Sequence, residues 1–277
     1  MIDILLSTYN GEKYLEQQLQ SIIEQSCADW HLIVRDDGST DQTLCILDKF
    51  AKQDPRISVF TDEKGNIGAL RSYEELLKKS ESDYVMFCDQ DDVWLPEKIS
   101  HTAEGMQDAE SKFGVKTPLL VYSDLQVTDE KLTTVDTSFW HYAGIHPQNI
   151  VDFPTLAGKN CVTGCTTMIN KTAKAVSLPF GEHALMHDHA IALSVIAHDG
   201  KLIENPHADI LYRQHGSNVI GAWKDMQGKK LFLHRLTHIS DIWQQNIDYI
   251  RQARDIQQIG FCEYCIAKSK YKKSCNG

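Results

Sequence analysis

Three aspartates, Asp89, Asp91 and Asp92, fall within four residues in the stretch Cys88-Asp89-Gln90-Asp91-Asp92-Val93-Trp94. An apolar run, Tyr84-Val85-Met86-Phe87, precedes them, and Val93, Trp94, Leu95 and Pro96 follow at once. Carboxylates this close repel one another, and partial burial raises the cost of ionising them. A divalent cation bound by oxygen ligands is the simplest compensation. A solvated acidic turn at a strand end is the plainer alternative, and the apolar flanks weigh against it.

Other residues carry chemistry at a distance. Asp188 opens an apolar helical run, Ala190-Ile191-Ala192-Leu193, where a helix N-terminus favours an ionised carboxylate. A plain N-cap is its competing role. His183, His187 and His189 surround it, but an HxxxHxH pattern without a fourth ligand makes a poor zinc site. Cys262 and Cys265 are half of a zinc site with no second pair to complete it. The eight cysteines read as reduced thiols.

The elements that position these residues follow from periodicity. Residues 2–7, 32–34, 57–60, 84–88, 119–123, the end of the Gly-containing bend 163–168, and 208–213 are apolar strands. Leu15, Leu19, Ile22 and Ile23 recur at helical spacing, as do Leu44, Leu47 and Phe50, and helices follow over about 69–79, 97–110, 171–177 and 189–198. Strands alternating with helices predict an α/β fold with a doubly wound, mostly parallel sheet. Its ligand belongs beyond the carboxyl ends of the strands. Ser7-Thr8-Tyr9, Asp36-Asp37, Asn66-Ile67-Gly68 and Asp89–Asp92 all fall there. Neither a GxGxxG nor a GxxxxGK[ST] loop is present, which argues against a dinucleotide dehydrogenase or a P-loop enzyme. The irregular segment 124–160 is long enough to be a functional loop region.

The chain has 277 residues, 42% hydrophobic and 24% charged, with a net charge of -10. Residues 224–277 hold ten Lys/Arg against five Asp/Glu, so the rest carries -15, a balance that does not suit nucleic acid. Phe232, Leu236, Ile239, Trp243, Ile247 and Ile250 lie on one face of a helix of about 20–25 residues. The helix over 230–255 is expected to pack on the body, to pair with its twin in a homodimer, or to lie on a membrane as a peripheral contact. No run reaches the ~20 apolar residues of a membrane span, and the N-terminus lacks signal-peptide features. The expected location is the cytoplasm, with the inner face of the cell membrane as the place for a peripheral contact.

The ordered set Leu6-Ser7-Thr8-Tyr9-Asn10-Gly11-Glu12-Lys13-Tyr14-Leu15, Asp36-Asp37-Gly38-Ser39-Thr40-Asp41, Asn66-Ile67-Gly68 and Asp89-Gln90-Asp91-Asp92-Val93-Trp94-Leu95-Pro96-Glu97-Lys98-Ile99 resembles the family 2 inverting glycosyltransferases, which have the A-type nucleotide-sugar fold. His187-Asp188 and Tyr212–Asn218 look like the bacterial rhamnosyltransferase-like branch. The resemblance spans about residues 2–220. It implies a catalytic domain over 1–223, with a nucleotide-binding half (1–100) and an acceptor-side half (101–223), and a helical C-terminal extension over 224–277. It implies that Ser7, Tyr9, Asp37, Asn66, Asp89 and Asp91 bind the nucleotide sugar, and that Asp91, Asp92 and His215 hold Mn²⁺ or Mg²⁺. Asp188 would be the catalytic base. The branch often carries aromatic residues after His-Asp, where this chain has His189-Ala190, so its substrate is expected to differ.

The implied reaction moves a sugar, rhamnose first among the candidates, from a UDP- or dTDP-linked donor to a hydroxyl of a surface-polysaccharide or lipid-linked glycan. Two rivals stand beside it. One is a sugar-phosphate nucleotidyltransferase, which would need a Gly-rich basic loop where Ser7–Glu12 stands. The other is a non-catalytic nucleotide- or glycan-binding subunit.

Overall fold

A computed structural model describes residues 1–216 and 239–275, with the backbone alone at 239–242. Seven strands form the central sheet. In chain order they are β1 (Ile2–Thr8), β2 (Trp30–Asp36), β3 (Ile57–Phe60), β4 (Tyr84–Cys88), β6 (Leu119–Ser123), β9 (Met168–Asn170) and β10 (Lys201–Asn205). Their spatial order is β10-β6-β9-β4-β1-β2-β3. Every pairing is parallel except those of β9, which runs antiparallel between β4 and β6. Most strands are buried on both faces, so they read as near-continuous apolar runs. β10 is the exception: Lys201-Leu202-Ile203-Glu204-Asn205 sits at the sheet edge, largely uncovered, and has no apolar run to betray it.

Helices α1 (Leu15–Ile23), α2 (Thr43–Gln53), α3 (Gly68–Lys79), α4 (Lys98–Phe113), α7 (Lys171–Ser177) and α8 (His187–Ala197) cover the sheet. The packing makes two cores. Leu5, Ile33, Val85 and Phe87 point to one side with α3 and α8. Ile4, Leu6, Leu32, Val34 and Met86 point to the other with α1, α2 and α4. This is the period-2 alternation of a strand with both faces packed.

The expected loop region 124–160 is more structured than its irregular sequence indicates. It holds β7 (Gln126–Thr128), β8 (Thr134–Asp136), α5 (Phe139–Ala143) and α6 (Phe153–Gly158). With β5 (Val93–Trp94) and β11 (Ile210–Arg213), these strands build a small second sheet, ordered β5-β11-β7-β8. The bend at 163–168 resolves into a 3-10 turn, Gly164–Thr166, before β9.

At the C-terminus the Ile239–Ile256 helix is followed by a second helix, Phe261–Ser274. Ile250, Ala253, Ile259 and Tyr264 enter the core shared with α6 and α8. The sequence pattern places Trp243 on the packed face, but it is 57% exposed and meets the tilted ring of Phe261 at 5.6 Å between centroids. Phe232 and Leu236 lie outside the described residues. No helix among the described residues is long and apolar enough to cross a membrane.

Candidate active site

The parallel strands β1, β2 and β4 end side by side, and their exits carry the predicted motifs. Thr8 Oγ1 donates to Asp36 Oδ1 at 2.9 Å, tying the ends of β1 and β2. The Asn10, Gly11 and Glu12 amides donate to Ser39 Oγ, Thr43 Oγ1 and Asp41 Oδ2 at 2.9, 2.8 and 3.1 Å, so the first two loops interlock. Gln90 clips the third loop to the first: Tyr9 N–H donates to its Oε1 (2.9 Å) and its Nε2 donates to Tyr9 O (3.1 Å). A Cβ on Gly11 would stand 2.4 Å from Gln90 Oε1, so any side chain there would push the Gln90 amide off this clip.

Asp37 is buried and engaged within the fold. Its Oδ1 accepts from Arg35 Nη1 (2.6 Å) and the Ile67 amide (2.8 Å), and its Oδ2 accepts from the Gly68 amide (2.8 Å). It thereby ties the Asn66–Gly68 turn to the end of β2, with Asn66 itself exposed beside Gly38. Ser7 is half-buried in β1 and Tyr9 is exposed at the rim.

The three aspartates of the acidic stretch differ. Asp89 Oδ1 accepts from the Tyr73 hydroxyl at 3.0 Å. Burial, then the charge of Asp91, push the Asp89 carboxyl up to about 7, and the charge of Asp188 adds to the shift. Asp91 Oδ2 lies 2.8 Å from His215 Nε2 at the partly open edge. Asp92 is 0% exposed. Its Oδ1 accepts from the Arg213 amide at 3.2 Å, while its Oδ2 meets no nitrogen or oxygen donor and neighbours the Cys165 thiol. Burial, then Asp91 and Asp89, raise its pKa well above the ordinary carboxylate range.

Asp188 stands in the first turn of α8, 7% exposed, and burial pushes it up to about 6. The His189 amide donates to its Oδ1 at 2.6 Å, and the Gly164 amide and Asn160 side chain also favour its ionised form. These donors agree with the helix-terminus role expected from the sequence and keep a carboxylate available in a dry setting.

Sequence reasoning missed Tyr73. It projects from α3, donates to Cys88 O (2.7 Å) and to Asp89, and its ring stacks 4.0 Å from that of His187. It thus spans the acidic stretch and the start of α8. A buried tyrosine on an amphipathic helix carries no sequence signal beyond packing. Arg213 was missed too. Its Nε donates to Asp91 O (2.9 Å), its Nη1 to Glu130 O (2.7 Å) and its Nη2 to Gln17 Oε1 (2.6 Å), so it anchors the chain that leads to His215.

Among the described residues, two groups of side chains approach the density of a metal site. Asp89, Asp92 and Cys165 bring their ligand-type atoms within 4.8 Å of one another, as do His101, His207 and Asp209 elsewhere. In the second group the imidazoles stack at 3.8 Å and 16°, so their in-plane nitrogens do not converge on one point. His183 pairs with Asp255 and His189 with Leu156 O. Cys262 and Cys265 are exposed on the last helix.

A large, mostly parallel sheet with helices on both faces, acidic loops at its strand ends and a separate carboxylate at the start of α8 is the arrangement of the A-type nucleotide-sugar fold. Residues 3–134 match the family profile Glycosyl transferase family 2. It is 30% identical over 169 residues to the putative teichuronic acid biosynthesis glycosyltransferase TuaG of Bacillus subtilis, covering 61% of each chain. It is 38% identical over 103 residues to the dTDP-rhamnosyl transferase RfbG of Shigella flexneri, covering 36% of each. The chain therefore spans about 61% and about 36% of the lengths of these relatives. Its fold is that of S. aureus TarS 1–349 in complex with UDP-GlcNAc, with a TM-score of 0.62 at 16% identity over 99% of this chain and 92% of that one.

Proposed function

We propose that the chain is an inverting glycosyltransferase. It moves a sugar from a UDP- or dTDP-linked donor to a hydroxyl of a cell-surface polysaccharide or lipid-linked glycan. The observation that carries this is the pairing of Asp89 and Asp188. The two carboxylates come from strand ends and a helix a hundred residues apart, feel each other's charge, and are bridged through Tyr73 and His187. TuaG and RfbG, by their names, support surface-polysaccharide synthesis and a dTDP-rhamnose donor.

In this reading Ser7, Tyr9 and Asn66 line the nucleotide pocket, and Asp37 shapes its wall through the Ile67 and Gly68 amides. Asp89 holds the ribose side, beside Asp91. The donor set at the open edge, one carboxylate oxygen of Asp91 beside one imidazole nitrogen of His215, fits a divalent ion, which these two residues would hold against the donor's diphosphate. Asp92 is fully buried, with Oδ1 accepting from the Arg213 amide on the chain that leads to His215. Such an ion, Mn²⁺ or Mg²⁺, would offset the charge that develops on the leaving diphosphate. Asp188 takes the proton of the acceptor hydroxyl as that oxygen attacks the anomeric carbon, and its raised pKa suits a base working near neutral pH.

Asp188→Asn tests the assignment. The amide keeps the shape and removes the base, so turnover is expected to fall by about a hundred- to ten-thousandfold while UDP or dTDP affinity holds. Release of nucleoside diphosphate, followed beside binding calorimetry, reads both. Near-normal turnover in this variant would remove Asp188 from the role.

A further inference from the structure

The segment that carries Asp188 is gripped from the C-terminal helix. Gln252, on the Ile239–Ile256 helix, is 1% exposed. Its Oε1 accepts the Leu185 N–H at 2.6 Å, and its Nε2 lies 2.7 Å from His189 Nδ1. His189 Nε2 lies 2.9 Å from Leu156 O. A carbonyl oxygen can only accept, so the imidazole proton sits on Nε2, Nδ1 presents its lone pair, and the Gln252 amide donates to it. Both ends of the Gln252 amide are thereby determined. Burial pushes His189 down to about 4, which keeps this neutral tautomer at working pH.

One turn further on, Asp255 accepts from the His183 amide at 2.7 Å and stands 3.0 Å from His183 Nδ1. A Cβ on Gly181 would come within 2.5 Å of Asp255 Oδ2. From the opposite side, Arg71 on α3 donates to Gly181 O at 3.0 Å. The strap 181–189 is therefore held between a helix of the nucleotide half and a helix of the C-terminal extension. Asp188 sits inside the strap, with His189 N–H on its Oδ1.

We propose that Gln252 is a positioning residue for Asp188. Through the Leu185 amide and the His189 ring it fixes the orientation in which the Asp188 carboxylate meets the acceptor hydroxyl. The C-terminal helix is then part of the catalytic machinery and not an appendage. This rests on Asp188 being the base.

The test compares Gln252→Leu, Gln252→Glu and Asp188→Asn in the full chain. The donor is whichever of UDP-glucose, UDP-N-acetylglucosamine and dTDP-rhamnose gives the largest thermal shift with Mn²⁺, and water serves as the acceptor. Gln252→Leu removes both bonds at similar volume. It is expected to lower kcat about ten- to a hundredfold, as a misplaced catalytic group does, with donor KM within about twofold of the parent. Amide exchange should quicken over residues 183–189 and stay unchanged over 84–94. Gln252→Glu still accepts the Leu185 N–H and lets a protonated His189 donate from Nδ1, so it should recover most of kcat. If the leucine variant does not fold, Gln252→Asn, too short for both contacts, is expected to show the same split. A folded Gln252→Leu or Gln252→Asn variant with parental kcat, or a loss that tracks Tm and exchange across the whole chain, would overturn the proposal. With Asp188→Asn inactive, that result rejects the positioning alone; an active Asp188→Asn rejects the base reading beneath it.

Discussion

The acidic stretches 36–41 and 89–92 look alike in sequence, yet the protein treats them in opposite ways. In the first, every buried carboxylate is answered. Asp36 accepts from Thr8, from Ser39 Oγ and from the Gly38 and Ser39 amides. Asp37 has the Arg35 guanidinium and two amides. In the second, Asp89 and Asp92 are pushed up by burial and by Asp91, and one oxygen of Asp92 meets no nitrogen or oxygen donor. Buried polar groups are normally satisfied, so an under-compensated cluster beside a compensated one marks where a ligand's charge is expected. The first stretch is tied into the fold by its donors; the second keeps uncompensated carboxylates at the strand end.

The sharpest way to break this contrast is to remove the compensation from the first stretch. Arg35 is almost fully buried, donating to Asp37, Asp62, Ser72 and Gly65 O. Arg35→Met leaves the buried Asp37 carboxylate without its counter-charge, with only the Ile67 and Gly68 amides as donors, and is expected to cost about 3–5 kcal/mol in urea-unfolding stability, as a buried ion pair that loses one partner does. A loss under about 1 kcal/mol would mean that Asp37 is not held by Arg35.

A smaller effect distinguishes the second stretch. Asp89 is raised to about 7, against roughly 3.9 for an unfolded chain. Between these values the native state holds the extra proton, so the contribution of Asp89 to stability falls as pH rises through that window. His187 and His189, pushed down to about 3 and about 4, act in the opposite sense over part of the range, so the variant must be read against its parent. In metal-free buffer, the Tm of Asp89→Asn relative to the parent is expected to climb from pH about 4 to about 7. A difference that is flat with pH would contradict the strained state of Asp89.

Much of the fold was legible because its strands are doubly buried and its motifs fall at their ends. The strands 57–60, 84–88 and 119–123 and the helix 171–177 coincide with their expected spans. β10 was not legible, since an edge strand with two apolar residues lacks a pattern. The Phe261–Ser274 helix was not singled out because Tyr264, Ala267 and Tyr271, its buried residues, are dispersed among lysines. In the site, charge was legible and its compensation was not. Spacing shows three aspartates, but not that Asp92 turns inward, that Tyr73 reaches Asp89 from a helix, or that Gln252 reaches His189 from 63 residues away. Those facts depend on tertiary contacts between elements that sequence periodicity treats independently.

We propose that the under-compensated stretch takes a cation and, through it, a diphosphate. Titrating UDP into the chain by calorimetry, in Mn²⁺ and in EDTA, with Asp91→Asn alongside, tests it directly. The account predicts that Mn²⁺ tightens UDP binding by about tenfold or more and that Asp91→Asn loses most of this gain. Equal UDP affinity in Mn²⁺ and EDTA, or a full Mn²⁺ gain in Asp91→Asn, would contradict it.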